Sequence, residues 1–429
     1  MLKKISEIWH NTPTSPLPIV SETMQKPSVL FINRVYPPAK GATGRVLRDL
    51  AQAFAKDGWE VTVVTGGPQD AEQKDGAVSV KRVKASAMKS PLNYFWVWLK
   101  LMVKALRLPH HTLVVTLTDP PMLVVAGRFI ARRKDSYHIH WCQDLYPDIL
   151  PVIGMKLPKS IMSWLQSLSR RAMKSCDRVI VVGRCMARHL THTGLDMTKV
   201  TIIPNWPDRE ITSPIPVTVN IANVANDHTK SSRPILFDTT PKFRVLYAGN
   251  LGRAHPIATI LEAASILQGQ HPEVEFVFVG DGPVHERLAL ERAKRGLENI
   301  RLLPTQPAER LRELMESGDV HLISMKPEAT GMLVPSKLYS ALAAQRPCIL
   351  IGPEQSEPGR VIHDFHAGSV VPQGNPAALV DAIHTYLVDG NSWFTAQQGA
   401  IEANRQFNPD QSMGSWLKKA RESVKSGTR

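Results

Sequence analysis

The sequence predicts an α/β chain made of two successive halves, each a parallel sheet covered by helices. Short β-rich runs alternate with segments of helical spacing on both sides of a polar interruption at residues 213–242. Several of those strands run straight into glycine turns that open a helix. The length agrees, since 429 residues exceed what one hydrophobic core usually organises.

Residues 1–26 are polar and broken by prolines, and read as a tail. Residues 28–33, Ser-Val-Leu-Phe-Ile-Asn, have the composition of a buried parallel strand. After a loop through Pro37, Pro38, Gly41 and Gly44, residues Val46, Leu47, Leu50, Ala53 and Phe54 recur at helical spacing, and Gly58 is placed to end that helix. Residues 60–65 form the second strand. Strands at 112–117, 136–140 and 178–182 then alternate with helices at 122–133 and 159–176. Residues 213–242, rich in Pro, Asn, Thr and Ser, form the linker between a first domain at 27–212 and a second at 243–400. There the rhythm restarts with strands at 243–248, 274–279, 320–324 and 347–351 and helices at 257–268, 284–296 and 337–344. The closing stretch, 401–429, is expected to be a helix that packs back on the first half. Two such halves place the expected ligand site in the cleft between them.

Composition narrows the function. With 43% hydrophobic and 21% charged residues the chain reads as globular. Cys142, Cys176, Cys185 and Cys348 lie far apart with no C-x-x-C spacing, which suits buried thiols in a reducing compartment and not a disulfide framework or zinc site. Lys3 and Lys4 are followed by Glu7 and His10 without an apolar core, so no secretory signal is read. No run is long enough to span a bilayer, and a cytoplasmic location is expected. The net charge of +14 (52 basic against 38 acidic residues) favours phosphate-bearing partners, although a basic surface kept for solubility gives the same excess. No zinc spacing, RNA-recognition signature or long basic tail supports a nucleic-acid partner.

The first strand leads through Arg34, Lys40, Gly41, Gly44 and Arg45 into a helix. Glycine lets the backbone approach an oxyanion, and a helix N-terminus supplies free N–H groups. A tight turn alone also needs glycine, and the spacing fits neither G-x-G-x-x-G nor a P-loop. The second half repeats the device at Gly249-Asn250-Leu-Gly252-Arg253 and at Gly280-Asp-Gly282-Pro283. Between Glu328 and Tyr339, Pro335 and Ser336 are placed to start a helix, with Ser336 at its cap. Lys337 in a first turn opposes the helix dipole unless an anion is bound, which favours a ligand role over a solvated lysine.

Residues 92–108 combine Tyr94, Phe95, Trp96 and Trp98 with Lys100, Lys104 and Arg107 on one stripe. A helix lying in a membrane interface has this pattern: aromatic anchors, an apolar face and cations for anionic headgroups. An ordinary crossover helix with one solvated face has it too.

With these residues in hand the chain resembles glycosyltransferase family 4, and within it the colanic-acid and exopolysaccharide subgroup. The matching pieces are Tyr36-Pro-Pro with Gly41 and Gly44, Asp144-Leu-Tyr-Pro-Asp148, Ile203-Pro-Asn205-Trp206, Tyr247-Ala-Gly-Asn-Leu-Gly252, Val279-Gly-Asp-Gly-Pro283 and Pro335-Ser-Lys-Leu-Tyr339, in order from about Lys26 to Arg421. The resemblance implies two Rossmann-like doubly wound domains facing across a cleft, the GT-B arrangement. It also implies retaining transfer from a nucleotide-diphosphate sugar held mainly by the second domain. The acceptor, polyprenyl-diphosphate-linked or an oligosaccharide, would approach from the first. On that basis Gly44, Gly249, Asn250, Gly252, Arg253, Gly280, Gly282, Ser336 and Lys337 are the expected donor residues. Gly41, Arg45 and Asp144 are expected on the acceptor side, and Asp144 and Glu328 at the reaction centre. Arg253 matches the family's phosphate-binding arginine. The lysine that often follows it is missing, and Lys337 is expected to supply its charge. Glu328 fits the first of two glutamates that many members carry seven residues apart, but Ser336 occupies the second position. No Asp-x-Asp motif occurs, so neither metal nor other cofactor is expected. The resemblance also favours the membrane reading of residues 92–108, with Trp96, Trp98, Lys100, Lys104 and Arg107 as contacts on an anionic surface. A nucleotide-sugar epimerase and a noncatalytic scaffold of the same fold are the competing functions.

Overall fold

The computed structural model describes residues 26–39, 41–85, 90–211 and 242–425. Nearly all of the expected tail and linker, together with Lys40, lies outside them.

The first sheet has the order β3-β4-β2-β1-β5-β6-β7-β8. Its strands are β1 (Ser28–Ile32), β2 (Glu60–Gly67), β3 (Ala71–Asp75), β4 (Val78–Lys84), β5 (Leu113–Thr116), β6 (Tyr137–Cys142), β7 (Arg178–Val181) and β8 (Val200–Ile202). Only β3 runs antiparallel to its neighbour. The crossovers are α1 (Ala42–Lys56), α2 (Pro91–Arg107), α3 (Leu123–Lys134), α4 (Lys159–Lys174) and α5 (Arg184–His192). The β3–β4 hairpin has no counterpart in the sequence reading. Its outer strand, Ala-Glu-Gln-Lys-Asp, is polar on both faces, so it lacks the alternation that marks a half-buried strand.

The second sheet, in the order β11-β10-β9-β12-β13-β14, is parallel throughout. It comprises β9 (Phe243–Ala248), β10 (Val274–Val279), β11 (Ile300–Leu303), β12 (Val320–Ser324), β13 (Cys348–Ile351) and β14 (Gly368–Val371). Helices α6 (Ala258–Gln270), α7 (His285–Arg295), α8 (Leu311–Glu316), α9 (Lys337–Ala343), α10 (Glu357–Phe365), α11 (Pro376–Val388) and α12 (Gly390–Gln406) surround it. Each sheet reverses its strand order beside its first strand, at β1/β5 and at β9/β12. Crevices for ligands open at the carboxyl ends of strands at such a reversal.

Burial decides which face each helix covers. Val29 and Phe31 point to one side of β1, against Leu47, Leu50 and Phe54 of α1. Leu30 and Ile32 point to the other, against Val97, Leu101 and Ala105 of α2 and Ala126 and Ile130 of α3. That packing corrects in part the reading of residues 92–108 as a helix whose apolar face meets lipid: the stripe through Val97, Leu101 and Ala105 is spent on the sheet, while Leu92 and Phe95 at its start stay exposed. Trp98 is half-buried, donates its indole N–H to Met122 O at 3.2 Å and stacks with Phe95. Lys104 pairs with Glu72 at 2.9 Å and Lys100 donates to Lys84 O at 3.0 Å, so both amines already have protein partners. Arg107 and Trp96 stay exposed.

The last helix, α13 (Pro409–Lys425), leaves the second sheet and lies on the first. Trp416 is fully buried against Trp141 of β6, with ring centroids 4.8 Å apart, and Trp141 stacks on Trp206 at 5.9 Å. Arg421 reaches Asp57 beyond α1 at 2.5 Å. Truncating a buried indole removes its transfer free energy and leaves a cavity. Trp416→Ala is therefore expected to cost about 3–5 kcal/mol in a urea unfolding titration, close to the whole margin of a marginally stable domain.

Candidate active site

The carboxyl ends of β9 and β10 are locked together by glycines. Gly249 has φ +113°, Gly280 φ +136° and Gly282 φ +132°. A Cβ on Gly280 would sit 2.6 Å from Gly249 O, and one on Gly282 would sit 2.1 Å from Asn250 Oδ1. Main-chain bonds close the pair of turns: Gly249 N–H donates to Val279 O and Leu251 N–H to Asp281 O, both at 2.8 Å. Gly280 and Gly282 therefore require glycine for backbone conformation and close approach together, and Gly249 for its backbone conformation.

Lys337 of α9 reaches into this turn. Its ammonium donates to Asn250 O at 2.9 Å and lies 4.8 Å from the centroid of the Tyr247 ring. No carboxylate pairs with it among the described residues, and burial lowers its pKa to about 8. His255 packs edge-on to Tyr247 and its Nδ1 bonds Ser324 O. Burial first, and the Lys337 charge second, lower the histidine to about 4, so it is neutral at physiological pH. Arg253, in the turn closed by His255 N–H to Gly252 O at 3.0 Å, is exposed and has no ion pair among the described residues. Two cations without counter-charges thus flank an open main-chain turn.

Ser336 departs from its expected role. It stands at the N-cap position of α9 but with helical φ −63° and ψ −18°, and its hydroxyl caps nothing. A capping side chain needs the extended backbone that swings it over the first turn. Glu328 is exposed in the turn Pro327–Ala329, unpaired among the described residues.

The first half meets this segment through main chain. Leu145 N–H donates to Met332 O at 2.7 Å, and Asp144 pairs antiparallel with Leu333. Lys326 donates to Val152 O at 2.9 Å. Asp144, half-buried, is thereby held beside the stretch that runs from Glu328 to Lys337. Burial, reinforced by the Asp119 charge, raises its pKa to about 6. Arg34, at the end of β1, grips Asp119 after β5 through two bonds of 2.7 and 2.6 Å. This Arg34–Asp119 pair at the first sheet's reversal, and the Tyr247–His255 pair at the second, were not singled out from sequence. Arg34 at the end of a strand before the glycine loop was the available signal.

Other expected residues serve packing. A Cβ on Gly44, inside α1, would lie 2.8 Å from Val35 Cγ1 and 3.0 Å from Val35 O. Gly41 is the N-cap of α1. Arg45 is not available to an acceptor: it donates to Trp206 O at 2.8 Å and Pro207 O at 3.0 Å and pairs with Asp49 and Asp208. His138 and His140 share Thr116 Oγ1 at 2.9 and 3.1 Å, and burial lowers them to about 3 and about 4. A groove of about 910 Å³ between α10, β14, α11 and α12 shares no residue with the glycine turns. Among the described residues no three His, Cys, Asp or Glu side chains gather as a metal site would require.

Known proteins resolve the family. The model described as Glycosyltransferase Family 4 matches residues 43–210, and that described as Glycosyl transferases group 1 matches residues 228–406. The chain belongs to glycosyltransferase family 4. It is thus a sugar-transferring enzyme with the two-domain GT-B architecture. WcaI of Escherichia coli (strain K12), whose name places it in colanic acid biosynthesis as a glycosyl transferase, is 24% identical over 381 residues, 82% of this chain and 90% of that protein. The fold matches sucrose-phosphate synthase from Thermosynechococcus elongatus with TM-score 0.72 at 16% identity, over 94% of this chain and all of that one. It matches Anabaena HepE, solved in complex with UDP-glucose, with TM-score 0.65 at 14% identity, over 92% of this chain and 99% of that one.

Lys337 yields a signed pH prediction. An anionic donor favours the ammonium, so donor affinity is flat below pH about 8 and falls above it. Calorimetry across pH 7–10 checks this as a rising dissociation constant with proton uptake. The folded state binds the Lys337 proton less tightly than the unfolded state does, so charging it opposes folding at pH 7. Lys337→Met is expected to raise the melting temperature there while weakening donor binding about 100-fold.

Proposed function

We propose that the chain transfers a sugar, with retention of configuration, from a nucleotide-diphosphate donor to a polyprenyl-diphosphate-linked glycan in exopolysaccharide or cell-surface polysaccharide synthesis. The observation that carries this reading is the pair of uncompensated cations, Lys337 and Arg253, at the Gly249–Asn250 turn. A diphosphate supplies the missing counter-charge, and cations fixed before reaction stabilise the charge that develops on it as the glycosidic bond breaks. HepE carries UDP-glucose on a similar fold, and WcaI supports the polysaccharide context.

The sugar C1–O bond to the diphosphate breaks and a bond from C1 to the acceptor oxygen forms. Asp144, across the junction, orients the acceptor hydroxyl or takes its proton, and a pKa of about 6 leaves it ionised at neutral pH. Glu328 faces the donor sugar, and Ser336 offers a hydroxyl to the nucleotide. Handling of the diphosphate by protein cations makes a metal unnecessary. No described helix is long and apolar enough to cross a membrane. In this reading the enzyme works from the cytoplasmic face.

Purified protein incubated with a panel of nucleotide-diphosphate sugars and bacterial membrane extract tests the reading. Extract-dependent nucleotide release with label entering lipid, undiminished by chelator, is expected. Epimerised donor without extract would assign an isomerase instead, and absence of both donor binding and turnover would leave a scaffold. Asp144→Asn is expected to lower transfer at least 100-fold while leaving donor affinity within about twofold. In the native enzyme transfer should fall below pH about 6, as Asp144 becomes protonated.

A further inference from the structure

Helices α2, α3 and α4 cover one side of the first sheet, and their charge is one-sided. None of the three contains an aspartate or glutamate. They carry three, four and four lysines or arginines respectively. Among the described residues Arg107, Arg132, Lys159 and Arg171 have no ion pair, and neither does Lys156 just before α4. All five are exposed.

The same layer exposes large apolar side chains. Trp164 of α4 is 62% exposed, Ile161 45% and Leu157, just before the helix, 36%. Ile161 and Trp164, three residues apart on the helix, share one face, and Leu157 lies in the segment that leads into it. No residue in the first half of α4 is buried; its first buried residue is Ser169. Phe129 on α3 is exposed with Arg133 over its ring at 5.6 Å, and Trp96 and Phe95 stand at the start of α2. The α2 and α4 starts lie at the strand ends that carry Arg34, Asp119 and Asp144, on the cleft side of the sheet.

Free cations around exposed apolar side chains, with no acidic residue within the three helices, complement an anionic lipid surface. A second copy fits badly, because a two-fold contact through this face would oppose cation to cation. We propose that the α2–α3–α4 layer docks on an anionic bilayer, with Ile161 and Trp164 of α4 and Leu157 just before it inserting among the acyl chains and the arginines and lysines around them meeting phosphate headgroups. The cleft end of the first sheet then faces the membrane. This deepens the proposed reading by naming the surface that brings a lipid-borne acceptor to Asp144. Docking itself needs no turnover.

The full chain is sedimented with phosphatidylethanolamine vesicles, plain or containing about one third phosphatidylglycerol. Binding about tenfold stronger to the anionic vesicles, weakened by salt, is expected. Ile161→Ser with Trp164→Ser should reduce that binding at least tenfold, and Arg132→Gln with Arg133→Gln should remove the preference for anionic lipid. Lys100→Gln with Lys104→Gln should change it less than twofold, because both amines are already engaged by the protein. Donor binding, measured in parallel, should be unchanged in all three variants, so failure of docking and failure of the transferase reading separate. Equal sedimentation of the native chain with both vesicle types, or of the α4 variant and the native chain, would overturn the proposal. So would a dimer in solution that Trp164→Ser dissociates.

Discussion

Everything at the cleft depends on one main-chain contact between the halves. Leu145 N–H and Met332 O, 2.7 Å apart, with Asp144 paired to Leu333 beside them, join the loop after β6 to the segment before α9. Backbone pairing fixes register, and a shift of one residue would turn alternate side chains to the other face. The contact therefore sets where Asp144 lies relative to Glu328 and Lys337, which belong to opposite sheets. Gly331, at φ +80° with Cys185 O only 3.1 Å from where a Cβ would be, lets the segment lie close enough against α5.

Around that junction charge is distributed in two ways. Away from the strand ends, charges are matched within the protein: Glu357 accepts from Arg184 N–H at 2.6 Å and from its guanidinium at 3.0 Å, and Asp364 takes a further bond. At the strand ends Arg34 and Asp119 match each other, but Lys337 and Arg253 on one side and Asp144 on the other have no counter-charge among the described residues. Burial works against each buried charge, lowering the lysine and raising the aspartate. Folding alone gains nothing from such an arrangement, and sites that bind charged ligands commonly accept this loss.

The architecture was legible because both sheets are parallel and buried. Val274–Val279 and Val320–Ser324 are buried at every position and mostly apolar, so their bounds follow from composition. The glycine turns were legible for the same reason, since Gly249 and Gly280 each follow such a run and Gly282 comes two residues later. Residues whose role depends on distant partners were not. Arg45 looks like a ligand cation until the Trp206 and Pro207 carbonyls, more than 160 residues away, arrive to occupy it. Residues 92–108 show why an amphipathic pattern alone is ambiguous: water, lipid and a sheet each reward the same periodicity. Glu72, which holds Lys104, sits on a strand with no sequence signal of its own.

The return of α13 to the first sheet has an evolutionary corollary. The half that carries Lys337 and Arg253 is not one continuous cassette, because the chain leaves it after α12 and ends against Trp141. A recombination event that imported a new second half by a single crossover would also import a foreign α13. That helix would meet Trp141 and Trp206 with whatever residue replaced Trp416. Exchange of the second half among relatives by gene shuffling thus needs two breakpoints, one between the sheets and one near Phe407, or a shared tryptophan contact that tolerates one.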